Sequence, residues 1–575
     1  MTWARPVPVV GDTTSAAQRA ADVTGWRMGQ ATRDALYEVI AARRDIRRFR
    51  PDPVGPELVE RLLGAAHMGP SVGHSQPWRF VLVRSPGTRE RAALIAERER
   101  QRQAALFTED ARRRVLDLQL EGIREAPVGV VVCCDRRVAA AGVIGRATFP
   151  DTDLWSCACA IENLWLAARA EGLGVGWVTL FPPGELAELI GLPERVETLG
   201  WLCVGWPDER PPAPGLERAG WSRRAPLSEV VMEERWAGSG PPPPASALRA
   251  PGQVAVVGAR DEADILLTPP SSLGTLDKAL ERLAALGVRE PANASLVLVA
   301  ADHPVTRYGV STYPKSVTRE VLEATVAGQS LGASAARATG IAVTAVDAGV
   351  EGAAVPGAIP HRPGEPQGDL VETDALSLAD AEMLVGEGRR LGRELDATIV
   401  VLGEAGVGNT TVAAALASAW LGVAGAETVG LGAGGDSATL SRKTAVVDAA
   451  LLRARGRTGR DRPVHTLAAL GGPEFAFLTG LVLGASERGA AVILDGLATS
   501  VAALGAVLIE PGAAWHLVAG QRSREKVHQK VLEELGLEAL LDLRVRAGEG
   551  VGAVLSYQLL STGLAMRGFA GRVTP

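Results

Sequence analysis

The chain has 575 residues, of which 47% are apolar and 22% charged, and its net charge is -6. That length implies more than one domain, each with enough apolar residues for its own core. The mild acidity, without a basic stripe, excludes the usual profile of a nucleic-acid-binding protein, and Asp, Glu or Arg interrupts every long apolar run, which speaks against a membrane span. The N-terminus lacks the basic start and apolar run of a signal peptide, so the expectation is a soluble, cytoplasmic protein.

In chain order, residues 1–25 carry little periodicity and read as an arm. Residues 33–44 have helical spacing and run into Arg43-Arg44-Asp45-Ile46-Arg47-Arg48. If the helix continues, Arg43 and Arg47 (i,i+4) and Arg44 and Arg47 (i,i+3) converge on one side. Forked guanidinium donors suit a phosphate, although an arginine run at a helix end is also an ordinary solvated face. A second helix is predicted over 56–68. The loop Gly69-Pro70-Ser71-Val72-Gly73-His74-Ser75-Gln76-Pro77-Trp78 leads into a β run at 80–83. It could bond the rim of a heteroaromatic ring, or be a plain loop closed by a buried Trp. A buried strand at 128–133 and a helix at 156–171 follow. Gly172, Gly174 and Gly176 then enter a strand at 177–180, and such glycines would let backbone approach a flat ligand. All five cysteines lie in this half: Cys133, Cys134, Cys157, Cys159 and Cys203. Their spacing does not match zinc sites, so they read as reduced thiols packed in a core, with no metal expected.

Residues 238–252 include four consecutive prolines and read as a semi-rigid linker. Domain one is therefore placed at 26–237 and domain two at 253–575. In the second, fully apolar strands are predicted at 296–300, 398–402 and 490–494, each followed by Gly- or Asp-rich residues. That is the pattern of a parallel sheet with ligands at its carboxyl edge. After the second of these strands, Gly403-Glu404-Ala405-Gly406-Val407-Gly408-Asn409-Thr410-Thr411 opens a helix. Amides at a helix start can hold a phosphate, but Asn409 stands where a nucleotide-hydrolysing loop needs lysine. The remaining alternatives are a different phosphate site or a structural turn. Lysine is rare here, five against 55 arginines, and Lys443 follows a second Gly-rich stretch at 430–436, so it could supply the missing charge. Near the end, Glu549 lies between Gly548 and Gly550. A Glu fixed in such a turn could take a proton from a ring nitrogen, while an exposed one would simply be solvated.

Over residues 37–236 the segments YEVIAARRDIRRF, LLGAAHMGPSVGHSQPWRFVLVR, IGR, NLWLAARAEGLGVGWV and LCVGWPDERP resemble the nitroreductase-like flavin fold, and more narrowly its 5,6-dimethylbenzimidazole synthases. The resemblance implies an α+β domain that consumes FMNH2 and molecular oxygen, with a ribityl carbon of the flavin entering the product. It also implies a homodimer with flavin at the subunit interface, supplied by a flavin reductase. Flavin contacts fall on Arg43, Arg44, Asp45, Arg47, Ser71, Gln76, Trp78, Arg146, Gly176 and Thr179. Proton transfer falls on Asp45, which its neighbouring guanidiniums should keep ionised. The family's functional serine after GWV is Thr179 here, and Ser75 stands where the family commonly has a larger apolar residue.

Over about 269–565 the segments PPSSLGTLD, ADHPVTRYGVSTYP, GEAGVGNTT, LGGPEFAFLTG, ILDG and GEGVGA resemble the nicotinate-nucleotide:dimethylbenzimidazole phosphoribosyltransferases. This implies an α/β domain with a mostly parallel sheet that needs no metal. The general base falls on Glu549, between Gly548 and Gly550. Phosphate and ribose contacts fall on Gly403, Glu404, Gly406, Gly408, Asn409, Thr410 and Lys443. The base pocket falls around Ser311 and Tyr313. Ala405 replaces a Met, Pro304 replaces a Gly, and residues 350–370 lack the family's GTRN-like run. Together the halves suggest consecutive steps: dimethylbenzimidazole is made, then receives ribose phosphate from nicotinate mononucleotide. The alternatives are an NAD(P)H-dependent nitroreductase fused to a transferase for another base, or a second half that only binds the base.

Overall fold

The computed structural model describes residues 14, 16–117, 122–240, 246–269, 271–432 and 436–572. The proline run at 241–244, residues 433–435 of the Gly-rich stretch and most of the expected arm lie outside the described residues. The chain forms two compact units, one of residues 26–242 and one of residues 243–575 together with segment 1–25. The short helix Ala16–Ala21 belongs to the latter, where Arg19 pairs with Asp261 at 3.1 Å. That part of the expected arm is docked rather than free.

In the first unit the elements are α1 (Gln30–Ala42), α2 (Pro56–His67), β1 (Trp78–Val83), β2 (Val128–Asp135), α3 (Thr152–Ala170), β3 (Gly174–Val178) and β4 (Val196–Gly205). The four strands form an antiparallel sheet in the order β1-β2-β4-β3. β2 is apolar along its length because both of its faces are covered. Cys157, Ala160, Ile161, Leu164 and Ala168 of α3 recur at helical spacing and pack with Val59 and Leu62 of α2 on one face. Ala92, Ala93 and Ala96 pack on the other. The cysteine reading needs one correction: Cys133, Cys134, Cys157 and Cys203 are buried free thiols, but Cys159 is exposed on α3.

The second unit is built on β5 (Ala294–Ala301), α4 (Leu331–Thr339), β6 (Ala342–Gly349), β7 (Ile359–Pro360), α5 (Leu378–Glu394), β8 (Ile399–Ala405), α6 (Asn409–Leu421), α7 (Ser437–Arg453), α8 (Pro473–Glu487), β9 (Ala491–Leu494), β10 (Leu517–Ala519) and α9 (Val551–Phe569). All six strands are parallel, in the order β10-β9-β8-β5-β6-β7. β5, β8 and β9 are buried throughout, as helices on both faces require. Among the described residues no helix is long and apolar enough to cross a membrane.

α5 and α8 pack backbone to backbone. A methyl on Gly480 or Gly484 of α8 would lie 1.9 Å from the carbonyl of Val385 or Arg389, and one on Gly388 of α5 would lie 2.0 Å from that of Phe477. These helices can separate only by disrupting the surrounding core. Gly480→Ala should therefore destabilise this unit by about 2 kcal/mol or more, read as a lower calorimetric unfolding midpoint; an unchanged midpoint would contradict the packing.

His528 is fully buried. The Ser523 N–H donates to its Nδ1 (2.9 Å), and Ser500 Oγ lies 3.0 Å from its Nε2. Burial, helped by Arg522, pushes the imidazole down to about 4. A depressed histidine holds the fold fully only above its unfolded value. Its share of stability, on the order of 3 kcal/mol, should drain away between roughly pH 6.5 and 4. Unfolding midpoints measured across that window should fall less steeply in His528→Asn than in the parent, and parallel slopes would contradict the assignment.

Candidate active sites

In the first unit α1 stops at Ala42, and Arg43 takes an extended conformation (φ -62°, ψ 133°). The expected i,i+3 and i,i+4 convergence of arginines along a continuing helix is therefore overturned. The chain leaves the helix to pair with the edge of β3, with Asp45 bridging Val175 and the Ile46 N–H donating to the Val175 carbonyl (3.0 Å). This approach occupies the glycines. A methyl on Gly176 would lie 2.3 Å from the Ile46 carbonyl, and one on Gly174 would lie 2.9 Å from the Ile46 side chain. Gly174 and Gly176, two of the three glycines expected to admit a flat ligand, instead admit the chain at Ile46, whereas a methyl on Gly172 would meet nothing within 4 Å.

The arginines remain half-buried and are not splayed into solvent. Arg47 donates to Asp45 Oδ2 through Nε (2.9 Å) and to the Trp177 carbonyl (2.9 Å). Arg44 donates to the carbonyls of Ala41 (2.7 Å), Arg43 (2.7 Å) and Pro212 (3.2 Å). Arg43 stacks on Trp165 with its guanidinium carbon 4.7 Å from the ring centre. The Trp177 N–H donates to Asp45 Oδ1 (3.2 Å). Despite Arg47, burial pushes the Asp45 carboxyl above its ordinary value, although its side chain keeps 40% of its surface accessible. Desolvation thus outweighs the neighbouring cation in the direction of the shift, which by itself does not protonate the carboxylate that was expected to stay ionised.

Ser71 and Gln76 share a loop in which Ser71 Oγ accepts the Gln76 N–H (3.1 Å). Thr179 is exposed just past β3. Two expected flavin contacts point elsewhere. Trp78 is buried in the core with its indole N–H on His67 Nδ1 (3.0 Å). Arg146 is buried and spent on Asp153 (2.9 Å), which it shares with Arg136, and on the Val138 carbonyl (2.9 Å). A separate cleft of about 1020 Å³ takes Arg44 into its wall but no other member of the expected set.

The second unit behaves differently. A cavity of about 430 Å³ at the carboxyl edge of the sheet is lined by Ser311, Tyr313, Glu404, Gly406, Gly408, Asn409, Thr410, Lys443, Gly548 and Glu549 together. Gly403 and Gly550 sit behind its wall, where a methyl on Gly403 would press 2.9 Å from the Glu549 carbonyl group. At one end Lys443, buried on α7, donates to Thr410 Oγ1 (2.9 Å) and to the Gly430 carbonyl (3.3 Å). Burial lowers its ammonium, and Glu525 opposes that shift. The 406–410 turn delivers the N-terminus of α6 to the same place, with Gly408 left-handed at φ +97°. A cation beside helix-start amides is an anion site.

At the other end Glu549 has φ +59°, between Gly548 (+65°) and Gly550 (+80°). A left-handed residue bearing a side chain costs on the order of 1 kcal/mol and persists only where its surroundings over-determine it. Here its N–H donates to the Glu404 carbonyl (3.2 Å), and its Oε2 accepts the Gly332 N–H of α4 (3.2 Å).

Glu404 is buried, bonded to the Asn409 amide through Oε2, with Oε1 lacking a partner. Burial above all, then Glu474 and Asp495, pushes its carboxyl well up, so this acid tends to keep its proton. Glu474 Oε1 lies 2.8 Å from His303 Nε2, close but poorly aligned. Sequence reasoning gave no role to Glu474, His303, Asp495 or Glu525. Three of them announced themselves weakly, as acids or a His directly after a buried strand or at a Gly-Pro helix start.

A phosphoribosyltransferase family profile matches residues 249–569, and the Nitroreductase family matches residues 40–206. The chain is 44% identical over 205 residues to the 5,6-dimethylbenzimidazole synthase of Rhodospirillum rubrum, covering 35% of this chain and 96% of that one. It is 38% identical over 310 residues to the nicotinate-nucleotide–dimethylbenzimidazole phosphoribosyltransferase of Thermus thermophilus, covering 52% and 92%. The crystal structure of CobT from Thermus thermophilus superposes with a TM-score of 0.52 at 37% identity, covering 55% of this chain and 97% of that one. With the parallel sheet and its edge cavity in the second unit and the α+β nitroreductase-like fold in the first, the chain belongs to the phosphoribosyltransferase family through one half and to the nitroreductase family through the other, as a fusion of relatives of these two enzymes.

Proposed function

We propose that the protein makes the lower ligand of cobalamin in two steps: oxygen-dependent fragmentation of FMNH2 to 5,6-dimethylbenzimidazole, then transfer of ribose phosphate from nicotinate mononucleotide to that base. The observation that carries the reading is the strained Glu549, held in the cavity that also contains Lys443 and the 406–410 turn. Lys443, Thr410 and the amides of the turn hold the phosphate. Ser311 and Tyr313 flank the base. Glu549 takes the azole N–H proton while the other ring nitrogen attacks the anomeric carbon. The bond to nicotinate breaks with inversion, and the pyridine nitrogen leaves with the bonding pair. The products are α-ribazole 5'-phosphate, nicotinate and one proton.

In the first unit the reduced flavin is a substrate and supplies the carbon framework and the electrons for oxygen. Arg43, Arg44 and Arg47 orient its phosphate, with Ser71 and Gln76 at the ring edge. Asp45, its carboxyl raised by burial above the ordinary value, is placed to accept and return a proton near Thr179. A homodimer completes this site. In support, α1 buries none of its residues and exposes Leu36, Tyr37 and Ile40, an apolar face suited to a second copy. A flavin reductase would supply FMNH2, and the free cysteines fit a reducing cytoplasm.

Two variants test the division of labour. Asp45→Asn should lose dimethylbenzimidazole formation by about a hundredfold or more while still transferring ribose phosphate to added base. Glu549→Gln should do the reverse, still binding the base but transferring about 10²–10⁴ times more slowly. If Glu549→Gln transfers at the parent rate, or if aerobic FMNH2 is only oxidised to intact flavin, the reading fails.

A further inference from the structure

We infer that Asp495 is the positioning residue for Glu549: its carboxylate anchors the start of the helix that begins immediately after the base. The inference rests on the transferase reading above.

Asp495 follows β9 at the carboxyl edge of the sheet, is buried, and lines the same cavity as Glu549. Its own N–H donates to Thr499 Oγ1 (2.9 Å), which fixes its backbone. Its Oδ1 accepts the N–H of Ala553 in the first turn of α9 (3.1 Å) and the side-chain amide of Gln521 (3.0 Å). The amides of Gly552 and Gly550 also favour its anion.

α9 has no capping side chain of its own, because Gly550 occupies that position. The first amides of a helix need an acceptor, and here Asp495 supplies one from across the sheet. Gln521 is wedged against the same turn, since a methyl on Gly552 would meet its side chain at 2.2 Å. Ser556 Oγ, one turn further on, donates to the Gly520 carbonyl (2.8 Å). The first turns of α9 are therefore bolted to the ends of β9 and β10.

Glu549 is four residues upstream of Ala553, the backbone amide that Asp495 holds, and its left-handed conformation is one that a free chain would abandon. Clamps from Gly332 and Gly403 press on it from one side, and the Asp495 anchor holds the chain on the other. Releasing the anchor allows residues 548–550 to relax to negative φ and swings the carboxylate away from its working position. Burial raises the Asp495 carboxyl to about 6, opposed by these same amides and Gln521. Glu404 on β8 and Glu549 line the same cavity, as do Lys443, Arg524 and Arg546, and the bonds from Ala553 and Gln521 stabilise its anion. Such a costly buried acid fits a group retained for geometry.

The test uses the full-length protein, with dimethylbenzimidazole and nicotinate mononucleotide as substrates, and three variants. Asp495→Ala should lower kcat about thirtyfold with both KM values within about twofold, because binding is intact while the base is misplaced. Asp495→Asn keeps an acceptor oxygen and should recover most of that loss, to within about fivefold of the parent. Equal losses in both variants would overturn the inference, because they would mark a proton-transferring acid and not an anchor. Parent-like kcat in Asp495→Ala would overturn it too. Should Asp495→Ala fail to fold, Gln521→Ala loosens the same anchor and should lower kcat about threefold, and an unchanged kcat would count against the proposal. Hydrogen exchange separates this inference from the transferase reading. Amides 550–553 should exchange faster in Asp495→Asn and Gln521→Ala whatever the chemistry, and unchanged exchange overturns the anchor. A parent protein that makes no α-ribazole phosphate overturns the transferase reading instead.

Discussion

The close approach of the 548–550 turn to the end of β8 is the contact on which the second unit's chemistry depends. Three consecutive left-handed residues bring the chain over Gly403 and under Gly332, at distances no side chain at those two positions could allow. The reward for this strain is one carboxylate whose backbone has a single available conformation. The parallel sheet makes that possible. Its strands all deliver loops to the same edge, so Glu404, Asp495 and Gln521 reach one turn from three different strands. Rigidity at that edge comes from strands buried on both faces and from the interlocked glycines of α5 and α8 behind them.

The second theme is the mixed charge along the cavity. Lys443, Arg524, Arg546 and the start of α6 line the cavity together with the acids Glu404, Asp495, Glu525 and Glu549. Burial raises the carboxyl groups of Glu404 and Asp495. On the proposed reaction both signs are used. A nucleotide phosphate settles beside Lys443 and the helix start, and Glu549 takes the azole proton. In the first unit the balance between burial and a neighbouring cation also favours burial, at Asp45. There the Ser71–Gln76 loop and the Asp45–Arg47 segment each close on hydrogen bonds of their own.

Local pattern revealed much of this. The apolar runs at 296–300, 398–402 and 490–494 are strands of a parallel sheet because only two-sided burial tolerates such runs. Lys443 stood out by rarity, and Glu549 by lying between glycines. What local pattern could not reveal depends on partners far away in sequence. α1 ends at Ala42 because β3, over 130 residues later, offers Val175 and Trp177 as partners. Gly174 and Gly176 look like ligand glycines until Ile46 is seen to fill them. Trp78 and Arg146 turn inward because His67 and Asp153 await them. Asp495 was visible as an acid after a strand, but its partner amides on α9 are 58 residues away.

The central claim is that one chain both makes the base and gives it ribose phosphate. The most direct measurement supplies purified protein with reduced FMN carrying 13C in the ribityl carbon nearest the ring, together with oxygen and nicotinate mononucleotide, and follows the label by mass spectrometry. The account predicts α-ribazole phosphate with the label in its benzimidazole ring. Label found only in intact oxidised flavin, or in free base that never gains ribose phosphate, would contradict it.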